Sequence, residues 1–234
     1  MNLFKFIPLF FPLLFVTNFS SGQILVGING GINWPIFRNE GQPLLYFDHV
    51  YRSFPGSPNN SIGLDIKELL PKTKHLNLGF SIDYNPYPFY FSSGDGTNWE
   101  HIHYNLRELR FTVYPEFFIG KKIKFFFNIG PYLSVSVNSS YSGTAWQHID
   151  PEYGDITYIV SGILTNFKTI DAGFREGLGI SYPVVNDIIV SVEENGSFGV
   201  LAINHDVGNV NKWDIGVLVS VAYMIQKKKT KNPK

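Results

Sequence analysis

The sequence predicts an all-β fold: an eight-stranded antiparallel up-and-down transmembrane β-barrel with four long external loops and three short periplasmic turns. Three observations predict it. Apolar and polar residues alternate through most of the chain, which is the period of a strand with two unlike faces. The alternating segments number eight, joined by long and short connections in strict turn. The face opposite the apolar one is rich in glycine and carries charges of both signs.

Residues 1–22 form a secretory leader in this reading. Lys5 is the positive n-region, Phe6 to Val16 the apolar core, and Ser20 and Gly22 the small-x-small cleavage pattern before Gln23. That apolar run is too short to span a bilayer as a helix. Residues 23–225 are the barrel domain, and 226–234 a basic periplasmic tail holding Lys227, Lys228, Lys229, Lys231 and Lys234. The eight strands fall at about 24–33, 62–70, 76–85, 106–117, 123–138, 168–182, 188–197 and 212–225. The connections are then 28, 5, 20, 5, 29, 5 and 14 residues long. The short ones carry turn chemistry: Pro71-Lys72-Thr73-Lys74, Gly120-Lys121-Lys122, and Pro183 with Asn186-Asp187. Even strand number, short turns and longer external loops are the habit of outer-membrane barrels.

The fifth strand shows the pattern most clearly. Ile123, Phe125, Phe127, Ile129, Leu133, Val135 and Val137 take one face; Lys124, Asn128, Gly130, Tyr132, Ser134 and Ser136 take the other. The last strand repeats it, with Trp213, Ile215, Val217, Val219, Val221 and Tyr223 opposing Lys212, Asp214, Gly216 and Ser220. A soluble lipocalin-like carrier would also have eight alternating strands, but with the apolar face inward. The polar face decides between the two. Small residues suit the interior of an eight-stranded barrel, which is only wide enough for side chains to fill. Glycine on a water-facing exterior would only weaken the strands. The polar face therefore points in. Its charges, Asp65, Lys67, Asp83, Glu108, Arg110, Glu116, Lys124, Asp171, Arg175, Glu193, Lys212 and Asp214, should pair as a lumenal plug.

Some positions resist the pattern. Glu176 falls on the lipid face near the middle of the sixth strand, and a β-bulge near Gly173 or Gly177 would turn it inward. Pro131 removes a ladder donor and also suggests a bulge. Aromatics bracket the apolar band as girdles do: Phe117, Phe118, Tyr182 and Tyr223 at the turn side, Trp34, Tyr84 and Trp213 at the loop side.

Composition narrows the chemistry. The chain has 234 residues, no cysteine, and 19 basic against 19 acidic groups. That excludes a disulfide framework, a thiolate-bound metal and a cysteine nucleophile, and gives no support to nucleic-acid binding. His101 and His103 share a face on an extended chain, but spacing fixes no third metal ligand. Asp95-Gly96-Thr97-Asn98 lacks the remaining ligands of a calcium loop. No G-x-S-x-G motif occurs. Ser92, Ser93, Glu100, His101 and His103 form one dense cluster that a lipid-modifying barrel enzyme could use, with no catalytic residue named. The long loops hold aromatics suited to an external binding surface: Trp34, Tyr46, Phe47, Tyr87, Tyr90, Trp99 and Trp146. Packing of these rings on one another is the competing reading.

Several short segments resemble the PorT-like outer-membrane β-barrel family, akin in shape to OmpX-like proteins. They are Gly27 to Asn33, Leu109 to Pro115, Gly130-Pro131-Tyr132-Leu133, Asp171 to Phe174 and Gly177-Leu178-Gly179. The resemblance covers nearly all of the chain after residue 22. It implies a non-enzymatic, monomeric barrel without a cofactor, held in outer-membrane lipid. Its expected role is structural, surface-binding or secretion-accessory, with an extracellular protein or glycan as partner. One departure is the C-terminus, where Tyr223 is followed by Met224, Ile225 and the basic tail instead of a terminal aromatic.

Overall fold

The computed structural model describes residues 23–39, 58–70, 73, 75–94, 98–150, 154–163, 170–201 and 210–225. The backbone alone is described at 37–39, 89–94, 98–100, 148–150, 154–155 and 210. The leader, the basic tail, Tyr46 and Phe47 lie outside the described residues.

The strands are β1 (Gln23–Asn39), β2 (Asn59–Leu69), β3 (Leu76–Gly94), β4 (Asn98–Ile119), β5 (Lys124–Ser136), β6 (Ser140–Asp150), β7 (Gly154–Ile163), β8 (Ile170–Val185), β9 (Ile188–Gly199) and β10 (Val210–Ile225). Eight of them close a ring in the order β1-β2-β3-β4-β5-β8-β9-β10, with β10 pairing back onto β1. Every neighbouring pair is antiparallel. The eight predicted segments are these eight strands, each within a few residues at its turn end.

The long connections differ from simple loops. β3 and β4 run on past the barrel and stay paired from Tyr84–Leu109 up to Gly94–Trp99. The third predicted loop is the β6–β7 hairpin. β6 lies along the same edge of β4 that β5 uses lower down: Glu108 pairs with Ser136, and Asn105 with Ser140. The register slips by one residue between them, so β5 and β6 are in effect one strand with a bulge at 137–139. Asn138 takes the left-handed conformation there, φ 52°, which asparagine tolerates better than most residues. Arg107 stitches the bulge from the other side: its N–H donates to Ser139 Oγ at 3.3 Å and its carbonyl accepts from Val137 at 2.7 Å. The result is a four-stranded sheet, β3-β4-β6-β7, standing above the loop end of the barrel.

The barrel is apolar outside and polar inside. Val26, Ile28, Ile62, Leu64, Phe125, Phe127, Leu178, Val217 and Val219 are exposed, while Asn29, Asp65, Ser81, Asn128, Arg175 and Asp214 are buried. Phe125 and Phe127 lie outside the barrel, so the soluble carrier with an apolar interior is excluded. Phe118 is a correction to the girdle: it lines the turn-end cavity with Lys124 and packs edge-on against His75. The other turn-side aromatics, Phe117, Tyr182 and Tyr223, do face outward.

The inward glycines have one shared reason. Each sits opposite a larger inward side chain: Gly79 faces Tyr114, Gly179 faces Phe126, Gly173 faces Tyr132 and Gly31 faces Leu218. A Cβ on Gly79 would run into the Tyr114 ring. A different need fixes Gly120, whose φ of 122° makes the tight turn into β5.

The expected bulges in the wall are not there. The β5–β8 register runs without a shift from Lys124–Ser181 to Val135–Ile170. Glu176 therefore stays outward, exposed, opposite Ile129 and Gly196. Pro131 opens a gap in the β4–β5 ladder between Thr112–Tyr132 and Glu116–Asn128, with the same register on both sides. Proline's missing donor is absorbed by leaving rungs unmade, so no residue needs to be inserted.

Two outcomes follow from this wall. Gly79→Val should lower unfolding stability by about 1–3 kcal/mol, the usual cost of overpacking, read as a lower urea midpoint in lipid vesicles; an unchanged midpoint contradicts the account of the glycines. Glu176→Leu should raise the unfolding free energy by about 1–2 kcal/mol, seen as a higher midpoint and somewhat less than the cost of a basic residue at mid-bilayer. A loss of stability would show that Glu176 does not face lipid.

Candidate functional site

Two features stand out: the charge network in the lumen and the sheet that projects above it. The network follows from strand parity. Residues at every second position of eight strands converge on one axis, where water is scarce, so each charge needs a partner.

At the loop end, the ammonium of Lys212, fully buried on β10, bonds Glu108 on β4 and lies 3.4 Å from Asp171 on β8. Tyr132 donates its hydroxyl to Asp171 at 2.9 Å. Beneath this, Arg110 on β4 reaches across the lumen to Asp214 on β10 at 2.7 Å. Asp214 also accepts from the Tyr87 hydroxyl at 2.9 Å and from Ser197. The Tyr87 ring is completely buried, with Lys212 Nζ 4.4 Å from its centroid. The Arg110 guanidinium lies 4.5 Å from the centroid of Tyr132.

Midway, Arg175 on β8 pairs with Glu193 on β9 at 2.7 Å. Asp83 accepts from Asn29 at 3.1 Å and Ser81 at 2.7 Å. Toward the turn end, Lys67 bonds Glu116 and lies 3.5 Å from Asp65. Asn77 donates to Glu116 at 2.8 Å, and Tyr114 donates to Asp65. Lys124 sits at the mouth, 4.7 Å from the Phe118 ring centroid. The inward charges expected from parity are thus brought together in the lumen. β4 is the hub, tied to β2 through Glu116 and to β10 through both Glu108 and Arg110.

The aromatic candidates separate. Tyr87 belongs to the lumen plug and not to an external surface. Its position among the inward residues Asn77, Ser81, Asp83 and Asn85 carries the signal, which the flanking Pro86 and Pro88 obscured. Tyr114 and Tyr132, also missed as network members, share the parity of their charged neighbours. Trp34 is exposed on β1, and Trp146 lies on β6 opposite Trp99 of β4. The side chains of Tyr90 and Trp99 are outside the described residues. The register sets Ser92 opposite His101 and Ser93 opposite Glu100, with the side chains of Ser92, Ser93 and Glu100 likewise outside the description. Among the described residues, no group of three or more His, Asp or Glu side chains is arranged to hold a metal ion.

Among the described residues, the projecting sheet has two unpaired edges above the barrel. On β3, pairing with β2 stops at Tyr84–Ile62. The exposed edge beyond it carries Pro86 and Pro88, residues that blunt strand addition. Among the described residues, β7 pairs with β6 and with no other strand. Its ten residues, GDITYIVSGI, include no proline, lysine or arginine. Ile159 and Ile163 are 87% and 73% exposed, and Ile156 and Tyr158 are exposed beside them.

A closed eight-stranded ring with hydrocarbon outside and paired charges inside is a membrane-spanning β-barrel of the bacterial outer-membrane class. Solved outer-membrane proteins are similar to this chain. The outer membrane protein OprG from Pseudomonas aeruginosa is similar at a TM-score of 0.50 and 8% identity, over 89% of this chain and 98% of that one. Ail, the attachment invasion locus protein of Yersinia pestis, is similar at a TM-score of 0.43 and 9% identity, over 88% of this chain and 100% of that one. Neisserial surface protein A is similar at 0.42 and 11% identity, over 86% and 99%. No family model matches the chain, and no curated protein does.

The Arg110–Asp214 pair gives a test of the plug. Arg110→Leu should cost about 3–5 kcal/mol, because it strands a buried carboxylate. Arg110→Leu with Asp214→Leu should recover most of that loss in a double-mutant cycle of urea unfolding. Additive losses would show that the two side chains do not interact.

Proposed function

We propose that this chain is a non-enzymatic surface-binding protein of the outer membrane, and that it captures an extended polypeptide on the free edge of β7. The leader is removed on export, the basic tail faces the periplasm, and the chain works as a monomer. Kinship with the PorT-like family rests on the glycine-bearing strand motifs given above.

The observation that carries the reading is the contrast between the two edges. An exposed edge strand presents unpaired N–H and C=O groups, a template for another strand. The β3 edge is blunted by proline. The β7 edge is not blunted, and it displays β-branched and aromatic side chains on a sheet lifted clear of the barrel. Main-chain hydrogen bonds would supply affinity, and Tyr158, Ile159 and Ile163 would read alternate side chains of the guest. A purely structural barrel has no use for such an edge.

The test is peptide display panned on the folded, detergent-solubilised protein. Enriched peptides should alternate apolar residues. Successive residues point their N–H groups to opposite edges of a strand, so one of Tyr158→Pro and Ile159→Pro removes a free-edge donor without touching the β6 ladder. That variant should lose binding at least tenfold and keep its heat-modifiable gel mobility. Peptides that bind both proline variants as tightly as the wild type would defeat edge capture, and preferential enrichment of a glycan ligand instead would move the reading to the aromatic side chains.

A further inference from the structure

We infer that the lumen takes up small monovalent cations from its turn end, and that the layer around Tyr87 stops them from crossing. The first ground is charge. Among the described residues, seven carboxylates point inward: Asp65, Asp83, Glu108, Glu116, Asp171, Glu193 and Asp214. Five cations face them, Lys67, Arg110, Arg175, Lys212 and, at the mouth, Lys124. Two negative charges are left over even when every cation is counted. Asp83 bonds the neutral Asn29 and Ser81 and shares the Arg175 guanidinium, which also reaches Ser81 at 3.5 Å, with Glu193. Uncompensated charge in a narrow low-dielectric tube draws counter-ions.

The second ground is independent of charge. Buried polar atoms around the same axis lack partners, and most are oxygens: Asn29 Oδ1, Asn128 Oδ1, Thr112 Oγ1, Ser134 Oγ, Asp171 Oδ1 and Asp214 Oδ1. Asn128 is fully buried, with both amide atoms unpartnered. Buried oxygen atoms without a bonded partner are the natural ligands of hard cations and of the water that accompanies them. Among the described residues, no three acidic or histidine side chains converge to hold a divalent ion. A cavity of about 40 Å³ lies at the turn end, where Asp65 and Glu116 face Lys67 and Lys124 beside Asn77 and Ser191. Toward the loop end the Tyr87 ring, buried against Arg110, Asp214 and Lys212, occupies the bore as Tyr132 does nearby.

Two measurements decide this. In planar bilayers across a tenfold KCl gradient, the wild-type chain should be nearly silent. Tyr87→Ala should raise conductance at least tenfold, with potassium permeating several-fold better than chloride. Adding Asp83→Asn should lower that preference. A folded Tyr87→Ala variant that stays silent, or that prefers chloride, overturns the inference. So does a current that follows a pH gradient in symmetric KCl, since protons would then be the neutralising ions. Should Tyr87→Ala fail to fold, crystals of the wild-type chain grown in rubidium chloride decide alone. An anomalous peak beside Asp83 and Asn29 supports the inference, and an empty lumen refutes it.

Discussion

Eight strands enclose a bore too narrow for two large side chains to meet at one level. The rest of the structure depends on that constraint. Tyr114, Phe126, Tyr132 and Leu218 each occupy the bore because the residue paired with them on the next strand is glycine. The pairing fixes register: a one-residue slip would swap the two faces of a strand and set ring against ring. The short turns, with Gly120 at one of them, then only need to close the gaps that this register leaves.

The same narrowness shapes the electrostatics. Charges that reach the axis cannot hydrate freely, so they bond across the lumen and not only to neighbours on the same wall. Arg110 and Asp214 lie on opposite sides of the ring, as do Glu108 and Lys212. These ties work as struts, and β4 anchors most of them. Buried ion pairs add little net stability, because desolvation offsets most of their attraction. Their effect here is on specificity, since a wrong register would strand several charges at once. Outside, the wall is stabilised by contact with hydrocarbon, and Glu176 and Glu194 are two charges it tolerates next to Gly196.

Parity made the barrel legible in the sequence. In the wall, every second residue meets lipid and its neighbours meet the axis, so Ile123 to Val137 announce a strand and both its faces. The lumenal charges were readable for the same reason. The β6–β7 hairpin was not. Neither of its faces meets lipid, so Ser140-Tyr141-Ser142-Gly143-Thr144-Ala145-Trp146 shows no contrast between alternate positions and reads as loop. Tyr87 was hidden by its flanking prolines, which an edge strand accepts. Glu176 was placed correctly by parity. The bulge that could turn it inward does not form, and the unshifted register leaves it outward. Phe118 was misassigned because it neighbours a true girdle residue, Phe117, of opposite parity.

The seam between β1 and β10 has a consequence for biogenesis. It is the longest ladder after β3–β4, running from Ile24–Ile225 to Asn39–Val210. It joins the two extremities of the described chain, so its loop-closure entropy is the largest in the molecule. Contacts of such separation form late. Until Ile225 has left the ribosome and crossed the inner membrane, β1 has no partner on that side, and any shorter product keeps two raw margins instead of a cylinder. Closure of the cylinder therefore needs β10, and a chain that stops before it leaves β1 unpaired on that side.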